Sequence, residues 1–124
     1  SRIVRRSLHG LLEGQPDWIV CAEAVDGADA IVKAQQCKPD IVILDFFMPG
    51  MTGVEAGRVL SRLFPSVPVL IVTLYITAQL VAEAKSAGIK GAAPKSDTRQ
   101  IIDGVEALMH QNTFFKESYP SEAV

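Results

Sequence analysis

Hydrophobic and polar positions alternate along this chain between two periods. Ile3, Val4, Leu8, Leu11 and Leu12 fall on one helical face, and Gly14-Gln15-Pro16 ends that helix. Residues 18–24 read as a strand. Asp26 then caps a helix carrying Ala30, Ile31 and Ala34, closed by Lys38-Pro39. Residues 41–44 form a continuous apolar strand. Thr52 and Glu55 make a capping-box pattern, followed at helical spacing by Ala56, Val59, Leu60, Leu63 and Phe64. Pro65-Ser66-Val67-Pro68 breaks that helix before a buried strand over residues 69–73. Thr77 caps a helix with Leu80, Val81 and Ala84, which Gly88 ends. A short strand over 91–93 precedes a last helix, opened by Asp97 and carrying Ile101, Val105, Leu108 and Met109 on one side.

The order is one helix and then four strand–helix units. Strands alternating with helices predict an α/β domain: a doubly wound parallel sheet covered on both faces. Residues 1–110 form this one domain, and residues 111–124 read as a tail or linker. A doubly wound domain normally opens with a strand, yet none precedes the first helix.

Composition narrows the class. The 124 residues are 48% hydrophobic, with a mean hydropathy of +0.23, as a sheet buried on both faces requires. No apolar run approaches a membrane span, and nothing at the N-terminus resembles a signal peptide. The net charge of −2 disfavours nucleic-acid binding by this domain itself. Cys21 and Cys37 have no metal-ligand spacing and read as reduced, near-core residues of a cytoplasmic protein. His9 and His110 have no ligand-like neighbours and read as surface or packing residues.

The candidate chemistry lies in Ile41-Val42-Ile43-Leu44-Asp45-Phe46-Phe47-Met48-Pro49-Gly50-Met51-Thr52-Gly53. An apolar strand ends in one carboxylate, and a Pro/Gly turn and a helix start follow. Open α/β sheets place their chemistry at the carboxyl ends of such strands. Most strand-terminal aspartates only end a strand or cap a turn, so the surrounding signals decide. They are Leu44-Asp45 with Met48-Pro49 and Gly53, Val72-Thr73, Ala87-Gly88 with Gly91, and Lys95.

In this order and on these elements, residues 1–110 resemble the receiver domain of bacterial response regulators, a flavodoxin-like fold. Leu74-Tyr75, Lys95-Ser96-Asp97 and the tail are most similar to the subfamily with LuxR-type output domains. The resemblance implies that Asp45 is the phosphoacceptor for a histidine kinase, and that Thr73 and Lys95 hold phosphoryl oxygens. It implies that Asp45 and the Phe47 backbone carbonyl contribute to a Mg²⁺ site. Phosphoryl transfer needs positioning and charge neutralisation, which a cation, an ammonium and a hydroxyl around one carboxylate supply. The implied protein is a switch and not an independent enzyme. It acts through partner binding or homo-oligomerisation, with transcription controlled by a DNA-binding domain outside this chain. Taken alone, Thr73 is also an ordinary β-branched strand residue, and Lys95 an ordinary strand-end cation.

The chain departs from the pattern twice. Ser1-Arg2-Ile3-Val4-Arg5-Arg6 matches the start of the family's first helix, so the family's first strand and its metal-binding acid pair are absent. Two strand edges, at 18–24 and 41–44, are then expected to lack a neighbour and to drive self-association. Incompleteness of the given sequence at its N-terminus is the expected explanation. The alternative is a degenerate pseudo-receiver that only binds partner proteins. Secondly, Ala92 stands where the family often has an aromatic switch residue, and Pro94 within the strand suits an edge or an end. A phosphatase of the haloacid dehalogenase type also uses a strand-end aspartate, but wants a second one two residues on, where this chain has Phe47.

Overall fold

A computed structural model describes residues 2–116, with side chains from residue 5 onward. The apolar side chains expected at Ile3 and Val4, and the tail beyond residue 116, lie outside the described residues. The elements in chain order are α1 (Arg2–Glu13), α2 (Gly27–Cys37), β1 (Val42–Asp45), α3 (Gly53–Leu63), β2 (Val69–Thr73), α4 (Ala78–Ser86), β3 (Gly91–Pro94) and α5 (Thr98–Met109). The three strands form one parallel sheet in the order β1-β2-β3.

The expected caps form. Asp26, Thr52, Thr77 and Asp97 each accept from a backbone N–H three residues on, opening α2, α3, α4 and α5. Thr52 and Glu55 bond reciprocally, so the first turn of α3 is closed at both donors. Lys38 ends α2 in the left-handed region at φ 50°.

Alternation along β2 splits the core. Val69 and Ile71 pack with Leu44 against α2, α3 and α4. Leu70 and Val72 pack with Ala93 against α1 and α5. All of β2 is buried, which is the position of a central strand with helices on both faces. Two positions expected inward on α3, Val59 and Leu63, are exposed; Val54, Ala56, Gly57 and Leu60 carry the contact instead. Met109 is likewise partly exposed at the end of α5.

The structure corrects the sequence reading at residues 18–24. They form no regular element and belong to no ladder, so three strands form among the described residues, not four. Side chains hold the run instead. Val20 N–H donates to Glu13 Oε2 at 2.9 Å, and Lys33 Nζ donates to the Glu23 carbonyl at 2.8 Å. His9 Nδ1 lies 2.6 Å from Glu23 Oε2 and His9 Nε2 lies 3.2 Å from Glu13 Oε1, tying α1 to the run. These contacts favour the charged form of His9, whose pKa is raised from the ordinary histidine value chiefly by Glu23. Cys21, expected near the core, is exposed, and Cys37 is half-buried.

The start of the expected tail packs back on the domain. Phe114 N–H donates to the Lys90 carbonyl at 2.9 Å, and Ala92 N–H donates to the Phe114 carbonyl at 3.1 Å. This parallel bridge covers the outer edge of β3. Phe114 sits against Gly91 and Gly104, where an added Cβ would lie 3.0 and 3.1 Å from its side chain.

Candidate functional site

The ladder register brings the strand ends together. Asp45 stands opposite Val72, and Thr73 opposite Pro94. Asp45, Thr73 and Lys95 therefore share the carboxyl edge of the sheet, where strand ends and loops leave room for chemistry. Phe46 N–H donates to the Val72 carbonyl at 2.9 Å, and Lys95 N–H to the Thr73 carbonyl at 2.7 Å. These bonds extend the ladders past the formal strand ends and fix the backbone at both charged residues.

Lys95 Nζ donates directly to Asp45 Oδ2. Both side chains are only partly covered, at 24% and 22% exposure, so the pair remains reachable from solvent. The other carboxylate oxygen, Oδ1, accepts from Phe47 N–H at 3.2 Å. Thr73 is almost wholly buried, at 3% exposure. The Phe47 ring is exposed and meets Phe46 edge-on, with 4.8 Å between centroids.

Sequence reasoning gave Phe47 a role only through its carbonyl. The structure adds its N–H, which orients the Asp45 carboxylate. Gly53 also matters more than its place in a motif indicated. A Cβ there would lie 2.5 Å from the Asp45 carbonyl oxygen, so α3 approaches the acid this closely only with glycine. The available signal was glycine at the first position of a helix, where a residue with a Cβ normally costs less. Gly53 N–H donates to the Phe46 carbonyl at 2.8 Å and closes the turn.

The donor set does not fit a tight Mg²⁺ site. A hard cation takes six or more oxygens, with carboxylates supplying charge. Among the described residues, no three His, Cys, Asp or Glu side chains cluster closely enough to hold a metal. Asp45 is the one acid among the predicted site residues, and it already pairs with Lys95. His9 and His110 lie away from this edge: His9 engages Glu13 and Glu23, and His110 its own helix at Glu106.

The model of the response regulator receiver domain matches residues 1–106. The chain belongs to the response regulator receiver domain family. It is 37% identical over 107 residues to the transcriptional regulatory protein LnrK of Bacillus subtilis, covering 86% of this chain and 48% of that protein. It is 31% identical over 115 residues to the uncharacterized transcriptional regulatory protein YxjL of the same organism, covering 92% and 53%. The chain thus spans about half the length of these relatives. A LuxR-family two-component response regulator from Aurantimonas sp. SI85-9A1 superposes with a TM-score of 0.88 at 30% identity, covering 93% of this chain and 83% of that one. The receiver fold and the likeness to LuxR-type regulators are therefore established. No helix among the described residues is long and apolar enough to cross a membrane.

Proposed function

We propose that this domain accepts a phosphoryl group on Asp45 from the phosphohistidine of a histidine kinase, and that the product biases partner binding or dimerisation. The observation that carries the reading is the direct Lys95–Asp45 contact at the carboxyl edge of the sheet, with Thr73 at the end of the adjoining strand. An Asp45 carboxylate oxygen attacks phosphorus, the phosphorus–nitrogen bond breaks, and its electron pair leaves on the imidazole, which takes up a proton. Lys95 neutralises the entering charge, Thr73 offers a hydroxyl to a phosphoryl oxygen, and Phe47 N–H holds the second carboxylate oxygen away from the attack. The Asp45–Lys95 pair exchanges one charge partner for a larger one, so Lys95 and Thr73 favour the phosphorylated conformation.

The chain is a switch component and not an independent enzyme. On this reading it acts in the cytoplasm, and its partners are a histidine kinase and a second copy. Control of transcription would pass through a DNA-binding output domain, the role that the names of its relatives carry. Phosphoramidate, a small donor with a phosphorus–nitrogen bond, tests acceptance. Incubation should give a base-labile phosphoryl adduct on the chain. A base-stable adduct, or one on a histidine, would contradict the reading.

The second reading is a pseudo-receiver that only binds partners. Among the described residues Asp45 is the one acid of the predicted site and no cluster would hold a cation tightly, which favours it. Failure to accept phosphate at any Mg²⁺ concentration, with partner binding retained, would select it.

A further inference from the structure

Cys21 and Cys37 take no part in the strand-end site, yet the fold brings them together. Cys37 is the last residue of α2, and Cys21 lies in the run between α1 and α2. Their side chains share a hydrogen bond, thiol to thiol. Both border one cleft, and both thiols are free.

Contacts on either side of the pair hold this meeting in place. Lys33 Nζ donates at 2.8 Å to the carbonyl of Glu23, shortly after Cys21 in the run. Lys33 stands one helical turn before Cys37, so one face of α2 carries both the tie and the thiol. Ala24 and Ala34 pack in the same apolar cluster. The end of α2 is itself fixed, because Lys38 N–H donates to the Ala34 carbonyl at 3.0 Å.

The two thiols differ in their surroundings. Cys21 is exposed and Cys37 is half-buried. Burial, and then the hydrogen bond with Cys21, pushes the Cys37 thiol up to about 11. Cys37 therefore keeps its proton at neutral pH and reacts slowly with an electrophile, since the thiolate is the nucleophile. An oxidant arriving from solvent meets Cys21 first. The part of the rise that Cys21 imposes on Cys37 disappears once Cys21 has lost its thiol, which readies Cys37 for the next step.

We propose that Cys21 and Cys37 are a redox-modification site, closed to a reversible disulfide by a peroxide, with Cys21 the attacked thiol and Cys37 the resolving one. The Cys21 sulfur attacks a peroxide oxygen and the oxygen–oxygen bond breaks. With hydrogen peroxide this leaves a sulfenic acid and one water. The Cys37 sulfur then attacks the Cys21 sulfur, the sulfur–oxygen bond breaks, and the departing hydroxide takes the Cys37 proton to form a second water. The two thiols together give up two electrons and two protons, and the peroxide is reduced to two waters. The bond closes the loop from residue 21 to residue 37 and staples the run to the end of α2. A reducing thiol pool reopens it by exchange. This site is separate from Asp45 and does not depend on phosphoryl acceptance.

The test treats the chain with hydrogen peroxide, alkylates the remaining thiols and measures mass. The product should be a monomer lighter by two hydrogens, with no alkylated thiol and with a Cys21–Cys37 cross-linked peptide on digestion. Dithiothreitol should restore two alkylated thiols. The cross-link should raise the melting temperature by about 5 °C. At equilibrium with mixed reduced and oxidised glutathione, urea should lower the effective concentration of the pair at least about tenfold, because folding supplies the proximity. Cys37→Ser should leave the oxidation on Cys21, as a sulfenic acid captured by dimedone. Equal effective concentrations with and without urea overturn the proposal, as does a cross-link that lowers the melting temperature. Covalent dimers as the main product overturn it, as does over-oxidised Cys21 beside an unreacted Cys37 in the parent chain. A Cys37→Ser chain without a dimedone adduct on Cys21 overturns the order of steps, and with it the proposal.

Discussion

Asp45 and Lys95 are 50 residues apart in the chain, yet they form the central contact of the site. Both are partly exposed, so their attraction is screened and contributes at most about 1 kcal/mol to folding. Lys95→Ala should accordingly lower the melting temperature by only a few degrees, while adduct formation from phosphoramidate falls by about tenfold or more. Calorimetry and a timed mass measurement on the same variant separate the two effects. A collapse of stability with normal acceptance would make Lys95 a structural residue. Gly53 should behave in the opposite way. Gly53→Ala gains helix propensity but drives a Cβ into the Asp45 carbonyl, at 2.5 Å. Overpacking of this kind costs about 1–3 kcal/mol and outweighs a propensity gain of about 1 kcal/mol. Urea denaturation should show net destabilisation; a stabilised variant would mean that α3 moves freely from Asp45. The positions of Asp45, Thr73 and Lys95 were legible because each ends an apolar run. The Phe47 N–H and the steric role of Gly53 were not, because both depend on backbone geometry within a turn.

Among elements, the caps and the central strand were the readable part. Asp26, Thr52, Thr77 and Asp97 act through local hydrogen bonds, which sequence encodes within four residues. Residues 18–24 were misread because a ladder is a property of two segments, and an apolar run alone does not supply the second. What holds the run is electrostatic and pH-dependent. The His9 value is raised in the folded state, so its contribution is complete below the ordinary histidine value and fades as pH rises through the raised one. Glu13 is lowered, first by the Val20 N–H, so its share is lost only in acid, as pH falls through the carboxylate range. The tether is therefore strongest in mildly acidic solution and weaker above neutrality. Exchange at the Val20 amide, corrected for intrinsic rate, should speed up between pH 6 and 8, and His9→Gln should flatten that dependence. An unchanged pH profile in the variant would remove His9 from the account. At the opposite edge, Phe114 bridges to β3 and fills the space over two glycines. Phe114→Ala should cost about 2–3 kcal/mol in urea denaturation, below a fully buried phenylalanine because the ring is half-buried. A cost near zero would show that this segment is only laid on the edge.

At the scale of the whole molecule, the sheet delivers Asp45, Lys95 and Thr73 to a common edge, and among the described residues no cluster of acids there would hold a cation. Titration calorimetry should accordingly show weak Mg²⁺ binding by residues 1–124; tight binding would require acids other than Asp45 at the site. The α/β class and both helical layers were legible from alternating periods, because each layer buries a stripe that the chain repeats. The number of paired strands was not, since it depends on which extended segments find a neighbour. The central claim is that Asp45 is the phosphoacceptor. Intact-mass measurement after incubation with acetyl phosphate, across a range of Mg²⁺ concentrations and on both the parent chain and Asp45→Asn, tests it most directly. The account predicts a single hydroxylamine-labile phosphoryl adduct on the parent, rising toward high Mg²⁺ and absent from Asp45→Asn; an adduct that persists in Asp45→Asn would contradict it.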